Sequence, residues 1–216
     1  MASDVIVVTL DGKKRRFRRG QSVLEGARAS GAQIPTLCYH EALEAVGACR
    51  LCVVEVTQGG RTRTMASCVT PAEDGMIIAT ATPHIVATRK MIMMLLLARC
   101  PTIDVIKRLA REMGIKTNPF PKGDEDCFLC GMCVRACAEI VGVGAIGIAY
   151  RGPKSEVQPP FGQESNVCIG CGTCTTICPA RTFDLAKVFA RRSMHKVGGA
   201  PEIIRCTVCE DHYTGT

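Results

Sequence analysis

Eight cysteines fall into two copies of one spacing. Cys127, Cys130, Cys133 and Cys137 follow C-x2-C-x2-C-x3-C, and Cys168, Cys171, Cys174 and Cys178 repeat it, with Pro179 next. So many thiols on two tight loops constrain the chain to fold around something the sulfurs share. The 216 residues hold 15 cysteines, about 7%, below the roughly 8–10% of a short secreted disulfide scaffold. The odd count and the C-x-x-C spacings argue against a disulfide framework, and no signal peptide is read at the start. A cytoplasmic, reducing compartment is therefore expected, with the cysteines acting as ligands. Apolar stretches such as Met91 to Ala98 fall well short of the roughly 18–20 residues of a membrane span, so no direct membrane insertion is expected.

The duplicated run is the signature of the two-cluster bacterial ferredoxins, in which the fourth cysteine of each run ligates the other cluster. The implied assignment is crossed. One [4Fe–4S] cluster takes Cys127, Cys130, Cys133 and Cys178; the other takes Cys168, Cys171, Cys174 and Cys137. Phe128, Leu129, Val167 and Ile169 are expected to keep water off the sulfurs, and Gly131, Gly170 and Gly172 to let the chain wrap closely.

A further group, Cys38, Cys49, Cys52 and Cys68, is spaced C-x10-C-x2-C-x15-C. Its nearest generic pattern is the plant-type [2Fe–2S] loop, whose first gap is four residues, so the match is by kind and not by count. The small residues Ala45, Gly47 and Ala48 would let backbone N–H groups approach the sulfurs. A zinc site is the alternative, disfavoured because structural zinc prefers two closely spaced pairs and only one is present.

The surrounding pattern predicts an α+β chain. Residues 1–82 read as a plant-type [2Fe–2S] ferredoxin domain of the β-grasp class, with strands at Val5 to Leu10, Lys13 to Arg19, Leu51 to Val56, Arg61 to Ala66 and Met76 to Ala79. Asp11-Gly12 and Gly59-Gly60 supply hairpin turns. Ser22 and Glu25 form a capping box for a helix running to about Ala29. Residues 83–123 read as a helical connector and linker, with Ile85, Val86, Met91, Met94, Leu95 and Ala98 at helical spacing and a break at Pro101. Residues 124–190 form the bacterial-type 2[4Fe–4S] ferredoxin domain, and 191–216 a tail with one last C-x-x-C. That tail pair, Cys206 and Cys209, could hold zinc with His212, complete a metal site with a partner chain, or remain as thiols.

Leu37 to His40, Gly47 to Glu55, Gly144 to Gly152, Val157 and Pro160 to Gly162 resemble the N-terminal iron–sulfur region of the large electron-input subunit of respiratory complex I. The small diaphorase subunit of NAD-linked hydrogenases shares that region. The resemblance covers about residues 4 to 190. It implies an electron-transfer subunit without substrate chemistry of its own, wiring an NAD(H)-oxidising flavoprotein subunit to a further redox catalytic subunit. The family usually places a [4Fe–4S] site held by one histidine and three cysteines after the long helix. Here Leu95 to Pro101 lacks that motif, and no cysteine follows Cys100 until Cys127. Three clusters are therefore expected, with Cys100 outside all of them.

Two other readings compete. A free-standing ferredoxin-like carrier would share the clusters, but the size and the spare C-x-x-C favour a fixed subunit. An iron–sulfur or zinc regulator binding nucleic acid would use Lys13 to Arg19. The formal charge of +7 invites that reading, but three clusters at about −2 each bring the loaded chain near +1. No nucleic-acid partner is expected. Nor is there a nucleophile–base pair or a Gly-rich phosphate loop.

Overall fold

Strand β1 (Val5–Leu10) buries Ile6, Val8 and Leu10 and turns through Asp11 and Gly12 into β2 (Lys13–Arg18). Asp11 (φ 47°) and Gly12 (φ 76°) are both left-handed, as a two-residue turn matching the twist of a hairpin requires. The register pairs Val5 with Arg18 and Leu10 with Lys13. Phe17 is the one residue of β2 that points inward. Its cationic neighbours lie exposed on an edge strand, where charge discourages pairing with another chain.

These elements belong to a computed structural model of the chain. It describes residues 4–163 and 165–183, with the backbone of two short strands at 204–205 and 212–213. Two compact units emerge: Met1–Tyr39 with Ala45–Glu125, and His40–Glu44 with Asp126–Thr216. Among the described residues no helix is long and apolar enough to cross a membrane.

The first unit continues with α1 (Val23–Ala29). Ser22 Oγ accepts from the Glu25 N–H at 3.2 Å and Glu25 Oε2 accepts from the Ser22 N–H at 2.8 Å, satisfying two orphan donors at once. Gly26 of α1 packs on the Phe17 ring so closely that a Cβ there would lie 2.2 Å from a ring carbon. Strands β3 (Val53–Gln58) and β4 (Arg61–Ala66) form a second tight hairpin through Gly59-Gly60, and β5 (Ile77–Ala79) completes the sheet. The order is β2-β1-β5-β3-β4, with β1 and β5 parallel and the other neighbours antiparallel. The core lies between this sheet and α1, around Ile6, Val8, Phe17, Leu24, Val54 and Ile78.

Helix α2 (Pro83–Arg99) starts with Thr82 as N-cap, its hydroxyl accepting from the Ile85 N–H at 3.2 Å, and Pro83 in the first turn. It stops at Cys100, because the residue before Pro101 is pushed out of helical geometry. The last carbonyls of a helix lack partners within it. Here the returning chain supplies them: the Gly123 N–H donates to Ala98 O at 2.7 Å and the Glu125 N–H to Arg99 O at 3.2 Å, while Asn118 Nδ2 adds a bond to Met94 O at 2.8 Å one turn earlier. Helix α3 (Asp104–Glu112) buries Ile106 and Ala110. The 83–123 segment thus packs within the first unit.

In the second unit, α4 (Met132–Arg135) widens into a π-turn over Ala136–Ile140, and α5 (Thr173–Ile177) stands in the equivalent place of the second cysteine run. A small hairpin of β6 (Gly147–Ala149) and β7 (Glu156–Gln158) lies between them in sequence. The short segment His40–Glu44 is tied to α4 and the π-turn. The Glu44 N–H donates to Glu139 Oε2 at 2.9 Å, and Arg135 Nη1 donates to the Glu44 carbonyl. Strands β8 (Ile204–Arg205) and β9 (His212–Tyr213) pair antiparallel.

Candidate metal centres

In the first unit, Cys52 immediately precedes β3 and Cys68 follows β4 by two residues, so the open end of that hairpin brings the two sulfurs to 3.4 Å. Ser67, fully buried, fixes this end by donating its hydroxyl to the Cys52 carbonyl at 2.7 Å. Cys38 and Cys49 come from the long loop between α1 and β3, and the Cys49 N–H donates to Cys38 Sγ at 3.3 Å. The Ala48 N–H also points at Cys38, consistent with the small residues expected there. Cys38, Cys52 and Cys68 are buried and Cys49 half-buried.

Hydrogen bonding between thiols divides each pair. Cys49 is drawn below the usual thiol range by its hydrogen bond with Cys38, and Cys52 by its hydrogen bond with Cys68. Their partners Cys38 and Cys68 are pushed up by the same hydrogen bonds and by burial. One sulfur of each pair is thus held more easily deprotonated than the other, and the thiolate is the form in which sulfur binds metal.

The second unit repeats one backbone device. Leu129 (φ 54°) and Gly131 (φ 71°) are left-handed in the first run, and Gly170 (φ 65°) and Gly172 (φ 79°) in the second. The two C-x2-C-x2-C loops therefore have the same winding, and Gly131 and Gly172 each start the helix that follows. Leu129 shows that the bend is imposed by the loop even where no glycine relieves it. Backbone N–H groups turn toward sulfur, from Leu129 to Cys127 at 3.4 Å and from Ala145 to Cys137 at 3.2 Å.

Charge interactions divide the eight sulfurs into two sets. Cys130 and Cys133 feel Cys127 and Cys178. Cys174 feels Cys171, Cys137 and Cys168, and Cys137 feels Cys171 and Cys168. The fourth cysteine of each run thus sits with the other run. A shallow cleft is lined by Cys137, Cys168, Cys171 and Cys174 among apolar residues including Val141 and Ile146. Phe128 is buried as expected, but Val167 is 49% exposed and does not shield the second loop.

Among the described residues no three His, Cys, Asp or Glu side chains converge closely enough to hold a single metal ion. A [4Fe–4S] cage attaches each of four thiolates to a different iron, and a [2Fe–2S] cluster attaches two thiolates to each iron. The donors, soft sulfurs with N–H groups aimed at them and apolar walls, fit iron–sulfur clusters. Cys100 is fully buried at the end of α2. Cys206 and Cys209 lie outside the described residues, and of His212 only the backbone is described.

Burial drives the thiols of the second unit upward: Cys130 to about 11, Cys133 to about 12 and Cys174 to about 11. The metal-free fold favours neutral thiols, so this contribution to its stability is complete below the ordinary thiol value of about 9 and is lost as pH rises toward 11–12. Cluster assembly releases those protons and is favoured by the same rise. The apoprotein is expected to lose denaturant resistance between about pH 9 and pH 12, while anaerobic iron–sulfide loading is favoured by the same rise. Denaturation midpoints and visible absorbance measure the two slopes, which should be opposite in sign.

Known proteins match both cysteine-bearing segments. Residues 3–83 match the family described as 2Fe-2S iron-sulfur cluster binding domain, and residues 126–182 that described as 4Fe-4S dicluster domain. The chain is 31% identical to an NADH-quinone oxidoreductase subunit of Rhizobium meliloti, over 85% of this chain and 26% of that protein. It is 29% identical to the NADP-reducing hydrogenase subunit HndD of Solidesulfovibrio fructosivorans, over 81% of this chain and 35% of that one. A chain in the crystal structure of NAD+-reducing [NiFe]-hydrogenase in the H2-reduced state superposes with a TM-score of 0.63 at 31% identity, covering 72% of this chain and 75% of that chain. This chain spans about a quarter to a third of the length of these two curated relatives.

Proposed function

We propose, for a chain that belongs to the family of iron–sulfur subunits found in NAD-linked hydrogenases and NADH-quinone oxidoreductases, that it relays single electrons between an NAD(H)-oxidising flavoprotein and another redox catalytic subunit. The sorting of its cysteines into three sets of four carries this reading. Cys38, Cys49, Cys52 and Cys68 would hold a [2Fe–2S] cluster on a sheet whose strand order suits the β-grasp fold of plant-type ferredoxins. Cys127, Cys130, Cys133 and Cys178 would hold one [4Fe–4S] cluster, and Cys168, Cys171, Cys174 and Cys137 the other. Such clusters supply one-electron storage and transfer at potentials set by hydrogen bonds to sulfur, charge and solvent exposure.

The protein's own part is to hold and tune. The N–H groups of Cys49, Leu129 and Ala145 stabilise negative sulfur, which favours the reduced state. The apolar walls around Cys137 and Cys174 lower the local dielectric. The names of the relatives support NAD(H) as the distant electron source or sink and a hydrogenase or quinone-reducing subunit at the far end. At the tail, Cys206 and Cys209 with His212 or a partner chain would form one zinc or intersubunit site, since two thiolates alone do not saturate a tetrahedral metal.

The test is reduction by NADH. The anaerobically purified chain, isolated with the flavoprotein co-expressed with it, should be brown and should develop cluster EPR signals on adding NADH. The same chain without the flavoprotein should not respond. A colourless preparation lacking iron and acid-labile sulfide ends the reading, as does a loaded chain that copurifies with no flavoprotein and takes no electrons from one.

A further inference from the structure

Arg89 is 8% exposed on α2, among the apolar residues Ile85 and Met93 of the same helix face. One Nη donates to the carbonyl of Val53, next in sequence to Cys52, at 2.6 Å, while Nε has no hydrogen-bond partner. No carboxylate lies within ion-pair distance of it among the described residues. Asp11, the nearest acid to influence it, commits both oxygens to Thr80, accepting from its N–H and its hydroxyl at 2.7 Å each.

A single hydrogen bond to a carbonyl does not account for a buried guanidinium. Burying an uncompensated charge is costly, and a neutral side chain could make the same bond with less desolvation. The compensation comes from the sulfur site. Burial pulls Arg89 below its ordinary range, and negative charge on Cys52 opposes that pull ahead of Asp11. The same field acts in both directions, so a cation held beside Cys52 favours added negative charge at that site.

We infer that Arg89 sets the potential of the [2Fe–2S] centre, its fixed charge stabilising the one-electron-reduced state over the oxidised one. This rests on the reading that Cys38, Cys49, Cys52 and Cys68 hold that cluster. Arg89 acts through the cysteine ligands and the medium around them, so it is a tuning residue and not a catalytic one. Its effect belongs to the equilibrium between redox states: one electron enters and the cluster becomes more negative by one unit, with no bond made or broken.

The experiment is an EPR-monitored redox titration of the loaded chain with Arg89→Gln, Arg89→Met and Arg89→Lys, alongside iron and sulfide analysis. Gln keeps a donor for Val53, Met fills the space without a polar group, and Lys keeps the charge. At a fixed poise, Gln and Met should lower the reduced-to-oxidised ratio of the [2Fe–2S] signal about tenfold, a shift of about 59 mV for one electron. Lys should retain most of the wild-type potential, and the cubane potentials should stay put. Loaded Gln or Met variants with the wild-type potential overturn the inference. If neither neutral variant loads the cluster while Lys loads it at the wild-type potential, the charge serves cluster binding rather than the potential and the inference fails. Loss of the cluster from all three makes Arg89 structural and refutes it. Absence of a [2Fe–2S] signal from the wild-type chain sinks the underlying cluster reading instead, a distinguishable result.

Discussion

Replacing Cys178 with Ala should remove the cubane of the first cysteine run, not that of its own. The loaded chain should carry about ten irons, two in the [2Fe–2S] site and four in each cubane. Cys178→Ala alone should leave about six, and so should Cys130→Ala. The double variants decide the pairing. With Cys178 sharing a site with Cys130, as their electrostatic contact suggests, the pair Cys130→Ala and Cys178→Ala still leaves about six irons. Cys171→Ala with Cys178→Ala should leave about two. An uncrossed arrangement gives the reverse pattern. NADH-driven turnover of the assembled complex should fall by about 100-fold or more in each single variant, since even outer-shell losses at metal sites cost about 10–100-fold.

The second large effect concerns the contact between β2 and α1. Phe17 is 2% exposed and its ring lies against the bare backbone of Gly26. Phe17→Ala should cost about 3–5 kcal/mol through lost burial and the cavity left behind, a large part of the roughly 5–15 kcal/mol that keeps a domain folded. Gly26→Ala should cost about 1–3 kcal/mol, because the new methyl meets the ring at 2.2 Å and must displace it. The two costs should not add. Once the ring is gone, the methyl at residue 26 enters vacated space, so the double variant should be no less stable than Phe17→Ala alone. Thermal denaturation of the loaded chain measures all three.

Local chemistry makes much of the first unit legible. Asp11-Gly12 and Gly59-Gly60 specify two-residue hairpins through their positive φ, and Ser22 with Glu25 specifies a helix start. None of these depends on residues far away. The third strand begins at Val53, two residues later than the run of apolar residues suggests. Leu51 and Cys52 belong to the cysteine loop, where Arg50 has already turned left-handed. Strand order is not in the pattern at all, since it arises from long-range pairing of β5 with β1 and β3.

Helix α2 shows where periodicity loses its grip. It is apolar nearly all round, so no stripe marks the inner face. Spacing favours Val86, Met91 and Leu95 along with Ile85 and Ala98. The structure buries Ile85, Arg89, Met93 and Ala98 and leaves Val86, Met91 and Leu95 exposed. A cation four residues from each of two buried apolar residues is the available signal, and a solvated arginine is the commoner meaning of such a residue. The cysteine sites are the opposite case. Their spacing is so restrictive that the repeat alone leads to the proposal that Cys137 and Cys178 each serve the opposite run. The tie of His40–Glu44 to α4 carries no comparable mark in the sequence.

If Cys137 and Cys178 exchange runs as proposed, the order of synthesis decides when each cradle closes. As the nascent chain leaves the ribosome, each early thiol triad waits for a sulfur encoded far downstream or must borrow one from upstream. Neither quartet exists before residue 174 has been translated, and the earlier triad is the later to close, at residue 178. Under the proposed ligation, iron delivery to this half of the polypeptide would be a late maturation step, and a prematurely terminated product would offer its cargo only incomplete cradles.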